Sequence, residues 1–121
     1  MNVLFFVIYF IQNMHFILTS ERLYLRPLTY AELKVYVESP TELLSKTDFA
    51  KKINSIDPEL KETVIKEFYP YFNNIYAEFL FHTLWLIIIK DTLTVAGSIC
   101  FHGEPVDGAV ELGYGIDETF R

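Results

Sequence analysis

The sequence predicts an α+β fold in which a first strand is followed by helices and then by an antiparallel meander of three strands. The expected order is β-α-α-β-β-β in a mixed, mostly antiparallel sheet. Three observations carry this prediction. Apolar and polar residues alternate near the N-terminus, helix-start signals with four-residue apolar spacing fill the middle, and dense β-branched runs separated by turns follow Thr83.

The first strand is predicted from the segment FILTSERLYLRPL, which begins at Phe16. Leu23 and Leu25 fall on one side of an extended chain, and Tyr24 with Arg26 falls on the other. Pro27 then ends the pairing because proline has no N–H to donate to a neighbouring strand.

Two helix starts follow directly. Thr29 and Glu32 have the spacing of a capping box, which predicts a helix from about Tyr30. Ser39 before Pro40 is a cap followed by proline at the first helical position, so a short second helix is expected over about 40–45.

A third helix is predicted from Asp57 and Pro58, which have the same signature. The apolar stripe of this helix is Leu60, Val64 and Phe68. Pro70 is expected to end or kink the helix. A similar stripe over Phe72, Ile75 and Phe79 predicts either a kinked helix or two helices in series.

The remainder predicts three strands. TLWLIIIK has the composition of a strand buried on both faces, DTLT is a turn, and VAGSICFHG is a second strand. EPVDG is a loop with proline and Asp-Gly turn chemistry, and AVELGYGI is the third strand of the meander.

Composition and charge limit the function classes. The 121 residues fit one domain with a sizeable core, because 51% of them are hydrophobic. A net charge of -6 without a basic patch argues against nucleic acid as a partner. One cysteine, Cys100, cannot form an internal disulfide, which favours a reducing compartment and therefore the cytoplasm.

The N-terminal residues 1–13 form an apolar extension, MNVLFFVIYFIQN, ahead of a domain over 14–121. The segment lacks the basic region of a signal peptide, and it is about half as long as a membrane-spanning helix. Two interpretations stay open. Translation starts at Met14 and the extension is a mis-assigned start, or the extension is an extra strand or a short anchor.

Three segments together resemble the GCN5-related N-acetyltransferases, and most of all the branch of the ribosomal-protein N-terminal acetyltransferases. They are LTSERLYLRPL, LWLIIIKDTLTVAGSICF and GAVELGYGIDETFR, and the resemblance spans about Phe16 to Arg121. It implies the acyl-CoA N-acyltransferase fold in an incomplete form. Arg121 stands at the first position of the Q/R-x-x-G-x-G/A signature, whose backbone N–H groups hold the pyrophosphate of acetyl-CoA. The chain is therefore expected to be truncated before that loop, and to have little or no activity alone.

The resemblance also implies a reaction and its residues. Acetyl passes from acetyl-CoA to a primary amine of a protein or small molecule by direct attack. Glu111 is the expected general base, since a carboxylate partly buried on a central strand favours proton uptake. Backbone groups at Tyr114, Gly115 and Ile116 are expected to bind the pantetheine arm, and Arg121 the pyrophosphate. Without the missing part of the fold, Glu111 is expected to be more exposed, and it also fits an ordinary surface carboxylate.

Cys100 and His102 are two residues apart on a predicted strand and therefore share a face. A zinc site needs a second ligand pair, which the sequence does not offer, so no metal is predicted. A nucleophilic Cys–His pair needs a third, orienting group, which the sequence does not identify.

Two other functions stay open. The chain is a non-catalytic half-fold or interaction scaffold that self-associates through an open sheet edge, for example as a homodimer. A weaker interpretation is a small membrane-associated protein that uses residues 1–13.

Overall fold

The computed structural model describes residues 7–11, 15–74, 79–117 and 120. Six strands form one sheet in sequence order, and neighbouring strands run antiparallel. The strands are β1 (Val7–Ile11), β2 (His15–Thr19), β3 (Leu23–Pro27), β4 (Trp85–Ile89), β5 (Thr94–Phe101) and β6 (Leu112–Ile116). The helices are α1 (Tyr30–Glu38), α2 (Pro40–Lys46) and α3 (Pro58–Thr63).

The predicted α+β class and three-strand meander are confirmed. The prediction of a single first strand is wrong. Residues 16–28 form two strands, β2 and β3, because the chain turns at Ser20. The backbone N–H of Ser20 donates to the carbonyl of Leu23 at 2.9 Å, and the N–H of Leu23 donates to the Ser20 hydroxyl at 3.2 Å. The apolar N-terminal residues supply a further strand, since Val7–Ile11 pairs with His15–Thr19.

The helix starts lie where the sequence predicts them, although the Ser39 side chain makes no capping hydrogen bond. Thr29 and Glu32 form a complete capping box, and α2 and α3 begin at Pro40 and Pro58. After Thr63 the helix widens into a π-helical turn over Val64–Phe68 and ends in a 3-10 turn over Tyr69–Tyr71, which contains Pro70. Another 3-10 turn covers Phe79–Phe81, while Ile75 lies outside the described residues.

The helices cover one face of the sheet. Leu33 and Val37 of α1 and Phe68 of the π turn are almost fully buried against Leu86 and Ile88 of β4. Trp85 and Ile87, on the opposite face of β4, are also buried, so this strand is covered on both sides as its composition predicts. The core therefore lies between β4, β5 and the helices, and β6 lies at its margin.

An Asp-Gly turn leads into β6. Asp107 and Gly108 both have positive φ, at 53° and 79°, and Val106 and Ala109 exchange backbone hydrogen bonds across them. This is the turn that joins antiparallel strands with their natural twist, and it agrees with the predicted EPVDG loop.

Candidate functional site

The outer strand β6 pairs with β5 along one side only. His102 N–H donates to the Glu111 carbonyl and Asp117 N–H donates to the Ala96 carbonyl, both at 2.8 Å. Because backbone groups alternate along a strand, the odd-numbered residues of β6 face β5. Leu112 and Tyr114 therefore direct their N–H and C=O groups to the outer edge of the sheet.

This geometry separates the three residues expected to bind pantetheine. Tyr114 presents its backbone at the outer edge. Gly115 is paired with Ser98, and its backbone faces β5 instead. Ile116 has the same outward orientation as Tyr114, although it already takes part in another interaction within the chain. Arg121 lies outside the described residues.

A groove of about 840 Å³ runs between β5, β6 and the segment 53–63 that leads into and along α3. Ser98, Cys100, Gly113 and Gly115 line its sheet side. A hydrogen bond of 2.9 Å from the Asn54 amide to the Asp117 carboxylate joins the helical side to the end of β6.

The groove is acidic. Its charged lining residues are Asp57, Glu59 and Asp117, and the described lining contains neither Lys nor Arg. Such a lining attracts a cation and repels phosphate.

Glu111 lies immediately before β6, and strand alternation places it on the same face as Gly113 and Gly115. The side chain is exposed, whereas the expectation of a general base assumed partial burial. This exposure agrees with the expectation for the chain as given and also fits an ordinary surface carboxylate, so the role of Glu111 as a base stays a prediction.

Because Gly113 has no side chain, the side chains of His102 and Cys100 occupy the space beside it. A Cβ atom at this position would lie 2.8 Å from His102 Nε2 and 3.5 Å from Cys100 Sγ. The other imidazole nitrogen, Nδ1, lies 3.9 Å from the Glu67 carboxylate. A thiol, an imidazole and a carboxylate thus form a spatial series, of which the first two line the groove and Glu67 does not.

The carboxylate of this series was missed by the sequence argument, which found the Cys–His pair but no third group. Glu67 comes from the π-helical turn, which the periodicity of the sequence does not reveal. Such turns are rare and frequently occur at functional sites.

Two groups at the groove have perturbed acidity. Burial, together with the nearby Glu67 carboxylate, raises the pKa of the Cys100 thiol. Burial, together with Asp117, raises the pKa of the Tyr36 hydroxyl to about 12. Both groups are therefore protonated at neutral pH.

A second cavity of about 410 Å³ lies on the other side of His102. His82 lines it, is buried, and stacks on Tyr71 with ring centroids 3.7 Å apart. The Nε2 atom of His82 has no hydrogen-bond partner and lies 3.8 Å from a Glu104 carboxylate oxygen. Within the described ranges, no three His, Cys, Asp or Glu side chains are arranged to hold a metal ion.

Comparison of the chain with models of protein families, with curated proteins and with solved structures gives no match. In the part of the chain that the structure describes, no helix has the length and apolar character needed to cross a bilayer.

Proposed function

We propose that this chain is part of a cytoplasmic GCN5-related N-acetyltransferase that moves acetyl from acetyl-CoA to a primary amine. The observation that carries the amine acceptor is the acidic groove beside the outer strand, with Asp57, Glu59 and Asp117 in its lining. A protonated amine is attracted to such a groove. The resemblance of three sequence segments to this family supports the same function.

Two of the predicted residues, Tyr114 and Glu111, have roles in this proposal. The outward N–H and C=O groups of Tyr114 bind the pantetheine arm as an added strand. Glu111, on the groove face before β6, takes the proton that the amine loses. The acetyl carbonyl is then held between the strand edge and the acceptor groove.

Among the described residues, the outer edge of β6 is the proposed contact for acetyl-CoA, which it would bind through the pantetheine arm.

Isothermal titration calorimetry with acetyl-CoA tests the strand-edge contact. Tyr114→Pro removes the outward N–H but leaves the hydrogen bonds to β5, which use neighbouring residues. We expect the dissociation constant to rise about tenfold, the effect of losing one hydrogen bond. Tyr114→Ala is the matched control, because it removes the side chain and keeps the N–H.

Equal affinities of the Tyr114→Pro and wild-type proteins would remove the strand edge from the proposal. A wild-type protein that shows no heat of binding at millimolar acetyl-CoA would overturn the function itself. Circular dichroism of each variant establishes that the fold is retained.

A second candidate function is the non-catalytic scaffold that self-associates through β6. It is favoured by the apolar side chains on this outer strand, since Leu112 is 51% exposed and Tyr114 is 75% exposed. Analytical ultracentrifugation tests it. A dimer that Tyr114→Lys converts to monomer, in a protein that does not bind acetyl-CoA, would favour the scaffold. A monomer at all concentrations would exclude it.

A further inference from the structure

We propose that the cavity beside His82 binds the ammonium group of a primary aliphatic amine. The hydrogen-bond acceptors of this site are His82 Nε2, the Glu104 carboxylate and the Tyr30 hydroxyl. The site lies on the other side of His102 from the acidic groove, since His102 lines both spaces. It is a binding site in its own right and does not depend on the proposed acetyl transfer.

Two buried side-chain atoms have no hydrogen-bond partner within the described part of the chain. They are the Nε2 atom of His82 and the hydroxyl oxygen of Tyr30. His82 is 4% exposed and lines the cavity. A buried polar atom without a partner is destabilising, and native proteins usually satisfy such an atom. The two atoms therefore indicate a polar ligand.

The Glu104 carboxylate shows which kind of ligand fits these two atoms. One of its oxygens lies 3.8 Å from His82 Nε2, which is too long for a hydrogen bond. A ligand nitrogen can lie about 2.9 Å from both atoms of such a pair at once. Burial, together with the Glu104 charge, raises the pKa of the Tyr30 hydroxyl, so the same carboxylate also acts on Tyr30. A primary ammonium brings a positive charge and three N–H donors to these three acceptors.

Aromatic rings form the walls of the site. Tyr71 stacks on the His82 imidazole with ring centroids 3.7 Å apart, so it covers one ring face and leaves the edge that carries Nε2 to a ligand. Phe68 and Phe101 line the same cavity of about 410 Å³ and suit the alkyl part of an amine. A cation near the ring faces also gains cation–π attraction.

The other charges of the lining offset each other. Lys66 and Glu67 are adjacent on the π-helical turn, and both are exposed. Their opposite charges largely cancel at the cavity. Glu104 therefore supplies the charge that favours a cation over an anion.

An NMR titration with n-butylammonium chloride tests the site. At about pH 8 an alkylamine is protonated and an imidazole is ordinarily neutral. Long-range proton–nitrogen correlation spectra report the His82 Nε2 resonance directly, and we expect this resonance to shift and to saturate at millimolar amine. Tetramethylammonium has the charge but no N–H donor, and we expect it to bind at least about tenfold more weakly.

Two substitutions test the acceptors. Tyr30→Phe removes one acceptor and keeps the ring that stacks on Phe72, so the dissociation constant is expected to rise about fivefold. Tyr69→Phe is the matched control, because Tyr69 packs on the same Phe72 ring, and it should leave binding unchanged. Glu104→Gln is expected to weaken binding at least about tenfold, because a charged acceptor is lost. Glu62→Gln, an exposed carboxylate on α3, is the control for charge.

Three outcomes overturn the inference. They are an unshifted His82 Nε2 resonance, equal binding of tetramethylammonium, and wild-type affinity in both Tyr30→Phe and Glu104→Gln. Amine that binds only at the acidic groove would shift the amide resonances of Gly113 and Gly115 without His82, and this result also overturns it.

Calorimetry of the wild-type protein with acetyl-CoA keeps the two proposals apart. Acetyl-CoA binding without a response of His82 to the amine leaves the acetyltransferase proposal and removes the ammonium site. A response of His82 without acetyl-CoA binding retains the ammonium site and removes the proposed acetyl donor.

Discussion

Tyr36 shows how one buried residue links the groove to the stability of the protein. It belongs to α1, is 6% exposed, and also lines the groove. Burial and the nearby Asp117 carboxylate both disfavour the ionised phenolate. The hydroxyl therefore keeps its proton in the folded protein at pH values where an unfolded chain has lost it.

The free energy of unfolding is expected to fall between about pH 10 and pH 12. The folded-state pKa of Tyr36 is about 12, and the unfolded value is about 10. Stability from this group is complete below pH 10 and is lost as the pH rises through the folded-state value. The loss approaches about 3 kcal/mol, since the two pKa values differ by about two units and each unit corresponds to about 1.4 kcal/mol.

Urea unfolding at several pH values measures this effect, with Tyr36→Phe as the reference. The pH-dependent loss should be smaller by about that amount in the variant. Tyr30 and Tyr69, whose pKa values are also raised by burial, stay in both proteins and cancel in the comparison. Identical pH profiles for the two proteins would contradict the assignment to Tyr36.

Between elements, the most specific contact joins β3 to α1. Arg26 forms two hydrogen bonds to the Glu32 carboxylate, at 2.7 and 3.1 Å, and its guanidinium lies 4.1 Å from the Phe49 ring centroid. The same carboxylate accepts from the Thr29 N–H and completes the helix cap. The Glu32 carboxylate therefore completes the N-terminal cap of α1 and also neutralises the buried Arg26 guanidinium.

Arg26→Met is expected to destabilise the protein by about 3 kcal/mol, because it removes the guanidinium that neutralises the partly buried Glu32 carboxylate. Lys46→Met is the matched control, since Lys46 pairs with Glu42 on the surface of α2 at 3.2 Å. That pair is exposed, and its loss is expected to cost below about 0.5 kcal/mol. Equal losses in urea unfolding would show that burial does not strengthen the Arg26 pair.

Local sequence signals predicted where the helices begin, whereas the candidate site depends on contacts between residues that are distant in the chain. The helix-start signals at Thr29, Pro40 and Pro58 depend on neighbouring residues, so sequence spacing reveals them. The turn at Ser20 was missed because a short serine turn interrupts an otherwise continuous strand pattern. Glu67 meets His102 only after the helix packs on the sheet, which no spacing along the chain encodes.

At the scale of the whole molecule, the two ends of the sheet differ. β6 carries the candidate site at one end and pairs with β5 over its full length. At the other end, β1 pairs along the whole of β2, whereas β2 pairs with β3 only at Leu18 and Thr19. Among the described strands, β1 therefore depends on β2 alone.

Removal of residues 1–13 is expected to change the free energy of unfolding by less than about 1 kcal/mol, because an outer strand held by one neighbour contributes little to a packed core. The polypeptide 14–121, compared with the full chain by urea unfolding, measures this. Removal of residues 1–20 is the contrasting variant, since Thr19 and Ser20 are buried, and it should cost more. A loss of several kcal/mol on removing 1–13 would make β1 an integral part of the fold and exclude Met14 as the start of the folded domain. Unchanged stability together with unchanged partitioning into lipid vesicles would exclude the membrane anchor.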